Sequence, residues 1–205
     1  LMSNVMAKIR IPLPPLAVQQ EIVRILDSFT ELTAELTAEL TSRRKQYEHY
    51  RDELFNITDC EYLHISDIAD TNIGLATSVT KYKASSGVLL LHNSDIQQNR
   101  IVLKAIEYIE KWFAEKNQAK ILQPEDIITV HTGDVGTSAV ITEKYAGAIG
   151  FTTITTRIKN KNIILPHFLC HYLNSQKCKA DIATMTISDR SNLNQKSYEK
   201  LLIPI

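Results

Sequence analysis

A stretch of 38 residues without glycine or proline, from Ala17 to Leu54, constrains the fold of this chain more than any other feature. Three prolines precede it, and Pro15 is suited to the first turn of a helix. Apolar residues recur within the stretch at alternating spacings of four and three, a heptad-like pattern typical of helices that pack together. These seam residues are Val18, Ile22, Ile25, Phe29, Leu32, Leu36, Leu40, Tyr47 and Tyr50. The pattern predicts one helix over residues 17–55, about 57 Å long, whose seam packs against another long helix.

The stretch also contains a short internal repeat. The tetrad Thr-Ala-Glu-Leu fills residues 33–36 and 37–40, and residues 29–32 are a degenerate copy. A four-residue period drifts by about 40° per copy around a helix, so the leucines spiral slowly. Two interpretations stay open: an ordinary helix built from good helix formers, or a ruler in which whole tetrads set a distance.

A second repeat links the two ends of the chain. Residues 8–13 read Lys-Ile-Arg-Ile-Pro-Leu, and residues 200–205 read Lys-Leu-Leu-Ile-Pro-Ile, 192 positions later. Such an echo is typical of a large repeat. We therefore expect one unit of a two-unit architecture: the tail of a preceding domain and a proline-rich entry over 1–16, the helix, and a globular domain over 56–205.

Composition bounds the class of protein. At 205 residues and 44% hydrophobic content, the chain can hold one ordinary domain beside the helix. No apolar run predicts a membrane span or a signal peptide, and three cysteines lack disulfide-framework spacing, so we expect a cytoplasmic protein. Residues 17–55 carry five basic and eight acidic side chains, whereas residues 152–205 carry eight and three. This asymmetry fits either ordinary solvated surface or a polyanion-binding face in the C-terminal third.

The remaining sequence predicts a mixed α/β domain. Short apolar runs at 87–92, 127–130, 138–141 and 154–158 are typical of strands. Pro166 to about Ser175 and a segment from Gln176 predict two helices. A regular βαβ succession is missing, so a nucleotide-binding parallel sheet is not expected.

Three polar loops are the candidate binding segments: residues 72–83, 131–138 and 188–196. Asn and Gln side chains can pair with adenine edges, Arg with guanine, and Ser, Thr and Lys with phosphates. Each loop taken alone also fits a capped turn. Enzyme motifs such as a phosphate-binding loop or a nucleophile elbow are absent from the sequence, and ordinary helix packing explains His167 and His171 better than a metal site.

Several of these segments resemble the DNA-specificity subunit of type I restriction-modification systems. The strongest likeness runs through Ile-Pro-Leu-Pro-Pro-Leu at 11–16, Gln-Gln-Glu-Ile-Val at 19–23, the tetrads, and the segment 43–54. Weaker likenesses to the target-recognition domain of that family follow in its usual order: Leu91-x-x-Ser94-Asp95-Ile96, Glu125-Asp126-Ile127-Ile128, Thr132-Gly133-x-x-Gly136 and Leu193-Asn194-Gln195.

The resemblance implies a non-catalytic subunit without cofactor or metal. It would read one half of a split site in double-stranded DNA and dock methyltransferase and restriction subunits. The candidate DNA-binding residues are Thr77, Ser78, Thr80, Lys81, Tyr82, Lys83, His131, Thr132, Ser138, Asp189, Arg190, Ser191, Asn192, Asn194, Gln195 and Lys196. The chain departs from the family in having one recognition domain and one spacer helix, which leaves open a fragment, a natural half-subunit and a recombination product.

The sequence leaves alternatives open for both assembly and function. The apolar seam predicts a homodimer through antiparallel helices, whose two-fold symmetry would favour a split palindrome as DNA target. The alternatives are a helical dimerisation module without useful DNA binding, and an enzyme acting on nucleic acid. The missing catalytic constellation argues against the enzyme.

Overall fold

The computed structural model describes residues 8–185 and 192–205, which divide into two units, Leu1–His49 and Tyr50–Ile205. Helix α1 spans Leu16–Leu54, as the sequence predicts. Pro15 lies just before its first residue, and the Pro15 carbonyl accepts the backbone N–H groups of Val18 and Gln19. Pro15 therefore lies at the capping position, directly before the first helical residue.

The apolar seam of α1 is exposed along its length. The nine seam residues are between 39% and 71% exposed. Thr33, Thr37 and Thr41 each donate their hydroxyl to the carbonyl four residues earlier, at 2.7–2.8 Å. This bonding satisfies the hydroxyls within the helix itself, so the tetrad threonines do not need water or a partner. In the described residues, no helix is long and apolar enough to cross a membrane.

Within Tyr50–Ile205, a mixed α/β domain confirms the predicted fold class, and the described strands form two four-stranded sheets. Their strands are β2 (Ala69–Ile73), β3 (Lys83–Ala84), β4 (Val88–His92), β7 (Glu107–Ile109), β8 (Ile127–Val130), β9 (Ser138–Val140), β10 (Ile149–Phe151) and β11 (Thr153–Ile158). The first sheet is antiparallel in the order β2-β11-β8-β9, and the second has the order β10-β4-β7-β3, in which β10 and β4 run parallel.

Two short pairs complete the strands. β1 (Tyr62–His64) pairs with β12 (Leu202–Pro204), and β5 (Ile96–Gln97) pairs with β6 (Arg100–Ile101), both antiparallel. β12 is the C-terminal copy of the sequence echo, and its Ile203 is fully buried. The helices of the domain are α2 (Ile65–Ile68), α3 (Lys111–Lys116), α4 (Pro166–Leu173), α5 (Gln176–Met185) and α6 (Gln195–Tyr198).

Apolar packing divides into layers around the two sheets. Ile154, Leu169 and Tyr172 belong to the cluster between the first sheet and the helices α4 and α5. Phe55 joins this cluster edge-on to Phe168 and Tyr172, with ring centroids 5.4 Å apart in both pairs. A second cluster fills the space between the sheets, and a third packs α3 on the second sheet. The predicted strands at 87–92, 127–130, 138–141 and 154–158 and both predicted helices are confirmed within one or two residues at most ends.

Candidate nucleic-acid interface

The three polar loops meet at one end of the first sheet. The Thr152 N–H donates to the Leu75 carbonyl at 2.9 Å, and the His131 N–H donates to the Thr152 carbonyl at 3.3 Å. The Leu193 N–H in turn donates to the His131 carbonyl at 2.9 Å. Backbone hydrogen bonds therefore join the segments around 75, 152, 131 and 193 side by side, although the sequence separates them widely.

Two glycines shape the loop between β8 and β9. Gly133 and Gly136 have φ of +97° and +82°, values that L side chains rarely adopt. A Cβ on Gly136 would also lie 2.7 Å from the Ile182 Cδ1 atom on α5. β8 and β9 pair antiparallel as a hairpin, and the turn between them holds His131 and Thr132 at the sheet end.

His131, Thr132 and Asn192 form a hydrogen-bonded row on this surface. The Thr132 hydroxyl donates to the Asn192 Oδ1 atom at 2.8 Å and lies 3.0 Å from the His131 Nδ1 atom. Partial burial lowers the pKa of His131 below its ordinary value, because desolvation disfavours the charged imidazolium. The row therefore presents neutral donors and acceptors at pH 7, the kind of group that reads base edges.

The segment after Asn192 has a mixed role. The Asn194 Oδ1 atom accepts the Lys196 N–H at 2.8 Å and so caps α6, while both residues stay exposed. Gln195 is half-buried, and its Nε2 group donates to the Thr71 carbonyl, the Thr71 hydroxyl and a Glu199 oxygen. Gln195 therefore ties α6 to β2. Asp189, Arg190 and Ser191 lie outside the described residues.

The loop between β2 and β3 also divides into two parts. Thr77, Ser78, Thr80 and Lys81 are exposed, and the Ser78 and Thr80 hydroxyls lie 3.2 Å apart. Tyr82 instead stacks on Phe113, with centroids 3.8 Å apart and planes 10° apart. The Lys83 Nζ atom lies 2.7 Å from a Glu107 oxygen, so its charge is already neutralised.

Ser138 does not belong to the exposed surface, which corrects the sequence-based expectation. It is fully buried, and its hydroxyl donates to the Gly136 carbonyl at 3.0 Å and lies 2.8 Å from the Thr129 hydroxyl. The Tyr198 hydroxyl extends this buried group to Thr156 at 2.8 Å. Ser138 lies on the inward face of β9, where its hydroxyl forms hydrogen bonds within the interior of the domain.

A cleft adjoins the His131–Asn192 row and was missed from the sequence. It has a volume of about 350 Å³ and is lined by Asn93, Ser94, Ile96, Gln97, Lys104, Val130, Thr132, Gly133 and Asp134. The Asn93 amide donates to the Thr132 carbonyl at 2.7 Å, which joins the cleft to the row. The buried Asp95 carboxylate accepts the N–H groups of His92 and Lys104, at 2.9 Å each, and thereby fixes the Lys104 backbone on the cleft wall.

Comparison with known proteins gives this arrangement a context. The model of the type I restriction modification DNA specificity domain matches residues 1–43. The putative type I restriction enzyme specificity subunit S.HindORF215P of Haemophilus influenzae is 30% identical over 184 residues, covering 83% of this chain and 46% of that protein. The chain belongs to the family of type I specificity subunits. The EcoR124I/EcoR124II specificity subunit of Escherichia coli is 59% identical over 59 residues, 26% of this chain and 15% of that protein.

Solved structures of type I specificity subunits share the fold. An HsdS subunit from Thermoanaerobacter tengcongensis superposes with a TM-score of 0.55 at 16% identity, over 95% of this chain and 48% of that one. A type I S subunit from M. genitalium superposes with a TM-score of 0.56 at 15% identity, over 90% of this chain and 47% of that one. The specificity-family chain described here thus spans about half the length of these relatives.

The structure also describes the surroundings of His167 and His171, the pair considered above as possible metal ligands. Burial is the main cause that lowers the pKa of His171, and the nearby His167 and Arg51 lower it further. Among residues 8–185 and 192–205, no group of three or more His, Cys, Asp or Glu side chains is arranged to hold a metal ion.

Proposed function

We propose that this specificity-family chain is a non-catalytic, sequence-specific DNA-binding half that reads one half of a split site for a type I restriction-modification complex. One observation carries the proposal: backbone hydrogen bonds place three polar loops edge to edge at one end of a sheet. A duplex groove needs several side chains on one rigid surface, and loops held by a sheet provide it.

The exposed side chains have the chemistry that such a surface requires. The Oδ1 atoms of Asn192 and Asn194 accept from Thr132 and Lys196, which leaves their amide nitrogens to donate to base edges. Thr77 and Thr80 offer exposed hydroxyls for phosphates or bases. Lys81 and Lys196 supply exposed positive charge in the first and third loops. Because Tyr82, Lys83 and Gln195 already have protein partners, they serve in the proposal as supports of the surface.

Helix α1 has a separate role in the proposal. Residues 17–55 act as the spacer that pairs with a second helix through the seam, and residues 1–16 as the entry to it. We expect the chain to be cytoplasmic. When it is purified alone, we expect it to form a homodimer through antiparallel helices. In the complex, the methyltransferase and restriction subunits dock on the helical part, while residues 56–205 bind DNA.

The decisive experiment is selection from randomised double-stranded DNA, with an electrophoretic shift followed by sequencing of the bound pool. We expect a split motif whose halves are related by two-fold symmetry. A chain that forms dimers but shifts no DNA contradicts the DNA-reading role and leaves the dimerisation module. Altered or cleaved DNA contradicts the non-catalytic role.

The tetrads offer an independent test of the spacer role. One added Thr-Ala-Glu-Leu copy after Leu40 lengthens an ideal helix by about 6 Å and rotates it by about 40°. A base pair rises by about 3.4 Å, so the added length corresponds to nearly two base pairs and the rotation to about one. We expect the non-specific spacer of the selected motif to widen by about one to two base pairs while both half-sites stay the same. An unchanged spacer contradicts the ruler interpretation.

A further inference from the structure

Thr152 occupies the point where the candidate surface converges. It is the single residue between β10 and β11, so it carries the chain from the second sheet to the first. Its N–H donates to Leu75 in the first polar loop, and its carbonyl accepts the His131 N–H from the hairpin. The residue therefore lies between two of the three loops proposed to contact DNA, and Leu193 of the third loop bonds to His131.

The backbone conformation of Thr152 is unfavourable for its side chain. Its φ is +54°, in the left-handed region, and a β-branched residue is a genuine outlier there. Among the described non-glycine residues with positive φ, the other two are Asn99 and Glu125. At Gly133, Gly136 and Gly147 the same chain uses glycine for such turns. Glycine would be expected at 152 on conformational grounds alone.

The path of the chain at this corner is fixed by its neighbours. A Cβ on Gly74 would lie 2.3 Å from the Gly150 carbonyl oxygen, and a Cβ on Gly150 would lie 2.1 Å from the Thr153 hydroxyl oxygen. The corner is therefore tightly packed around Gly74 and Gly150, and none of the atoms nearest to these glycines belongs to Thr152. Its half-buried hydroxyl donates locally, to the Phe151 carbonyl at 2.7 Å, which adds no link to another segment.

We propose that Thr152 is a base-contacting, specificity-determining residue of this surface. The inference rests on the proposed DNA-reading function. Strained residues that the surrounding structure holds in place are a feature of functional sites, and here the strain places a side chain where glycine would leave none. The hydroxyl retains lone pairs that accept from a base amino group, and the methyl group packs against a thymine methyl.

The test compares Thr152→Gly and Thr152→Asn with the wild-type chain. Both replacements tolerate positive φ, so we expect melting temperatures equal to or above that of wild type. Thr152→Gly should lose base preference at one position of the selected motif and bind the wild-type site roughly 5- to 100-fold more weakly, with unchanged affinity for random DNA. Thr152→Asn should change the base preferred at that same position.

Glu125→Gly is the matched control. Glu125 has φ of +69°, is exposed, and forms an ion pair with Lys161. The replacement relieves the same kind of strain away from the loops, so the selected motif should not change.

The outcomes separate this inference from the function on which it rests. A wild-type chain that selects no motif overturns both. A wild-type motif that Thr152→Gly reproduces at every position, with equal affinity, overturns the role of Thr152 alone. Lower melting temperatures for both Thr152 variants, with recognition weakened at all positions, also overturn it, because the side chain would then support the fold.

Discussion

Large apolar side chains have opposite environments in the two units of this chain. In the domain, Leu91, Ile128 and Ile154 are completely buried between sheets and helices. Along α1, Ile22, Phe29 and Leu36 are 47%, 60% and 56% exposed, although their spacing is just as regular. The domain buries its apolar surface by its own tertiary contacts. The helix carries an equally regular apolar pattern that stays exposed, so periodicity predicts an element but not the partner that covers it.

The largest expected effect tests the self-sufficiency of the domain. Asn174 is 1% exposed, its amide nitrogen donates to the Ser138 carbonyl and to Asn99, and its Oδ1 atom accepts the Ser138 N–H. Asn174→Ala leaves several buried groups unpaired and should lower the free energy of unfolding by roughly 3 kcal/mol in urea titrations. The exposed Asn162→Ala is the control, expected within about 0.5 kcal/mol of wild type. Equal losses in both would contradict the role given to the buried amide.

The next effect tests whether the helix is incomplete alone. Leu36→Asp places a charge in the seam and should raise the dissociation constant of self-association by at least about 10-fold, because a charge is costly to bury. Ala34 lies about 160° away around the helix, so Ala34→Asp adds the same charge on the opposite face and should dissociate like wild type. Light scattering over a concentration series measures both. A wild-type chain that is monomeric at tens of micromolar would refute the pairing.

A smaller effect separates two lysines of one loop. Lys81 is exposed, whereas the Lys83 charge is paired with Glu107. If Lys81 contacts a phosphate, Lys81→Ala should flatten the dependence of log affinity on log salt by about 0.9. Lys83→Ala should change the slope less, because its charge is already compensated. Titrations of one DNA at several salt concentrations measure both slopes. A larger change of slope for Lys83→Ala would mean that Lys83, rather than Lys81, contacts the phosphate.

The smallest expected effect depends on pH. The pKa of His131 in the folded chain is lowered by burial, so below 6.5 the unfolded chain binds a proton that the folded chain resists. Stability from this residue is therefore complete above its ordinary pKa and declines as pH falls toward the lowered folded pKa. His131→Gln should lose less stability than wild type between pH 7.5 and 5.5 in urea titrations. Identical pH profiles for His131→Gln and wild type would rule out the contribution of His131.

Local patterns in the sequence predicted the elements better than the site. The spacing of apolar residues and the lack of Gly and Pro predicted the helix, and a short, mostly apolar run predicted β8. The pairing of distant segments has no local signal: Asn93 bonds to Thr132 across 39 positions, so the cleft could not be foreseen. Ser138 was expected on the binding surface but is buried, because its residue type shows a hydroxyl but not the face of the strand on which that hydroxyl lies. The positive φ of Thr152 arises at a corner between sheets, and a threonine gives no hint of it.

The pairing of β1 with β12 has a consequence for how such domains can be exchanged. The Ile205 N–H donates to the Glu61 carbonyl at 2.8 Å, and Tyr62 lies opposite Pro204. The polypeptide therefore enters and leaves the domain at neighbouring points, as in many modules that tolerate transplantation. A replacement domain needs only to reproduce the β1–β12 pair to join the chain at these points. An exchange between the β1 and β12 ends of the domain would replace residues 62–204 in one event, while the sequence of α1 stays as it is.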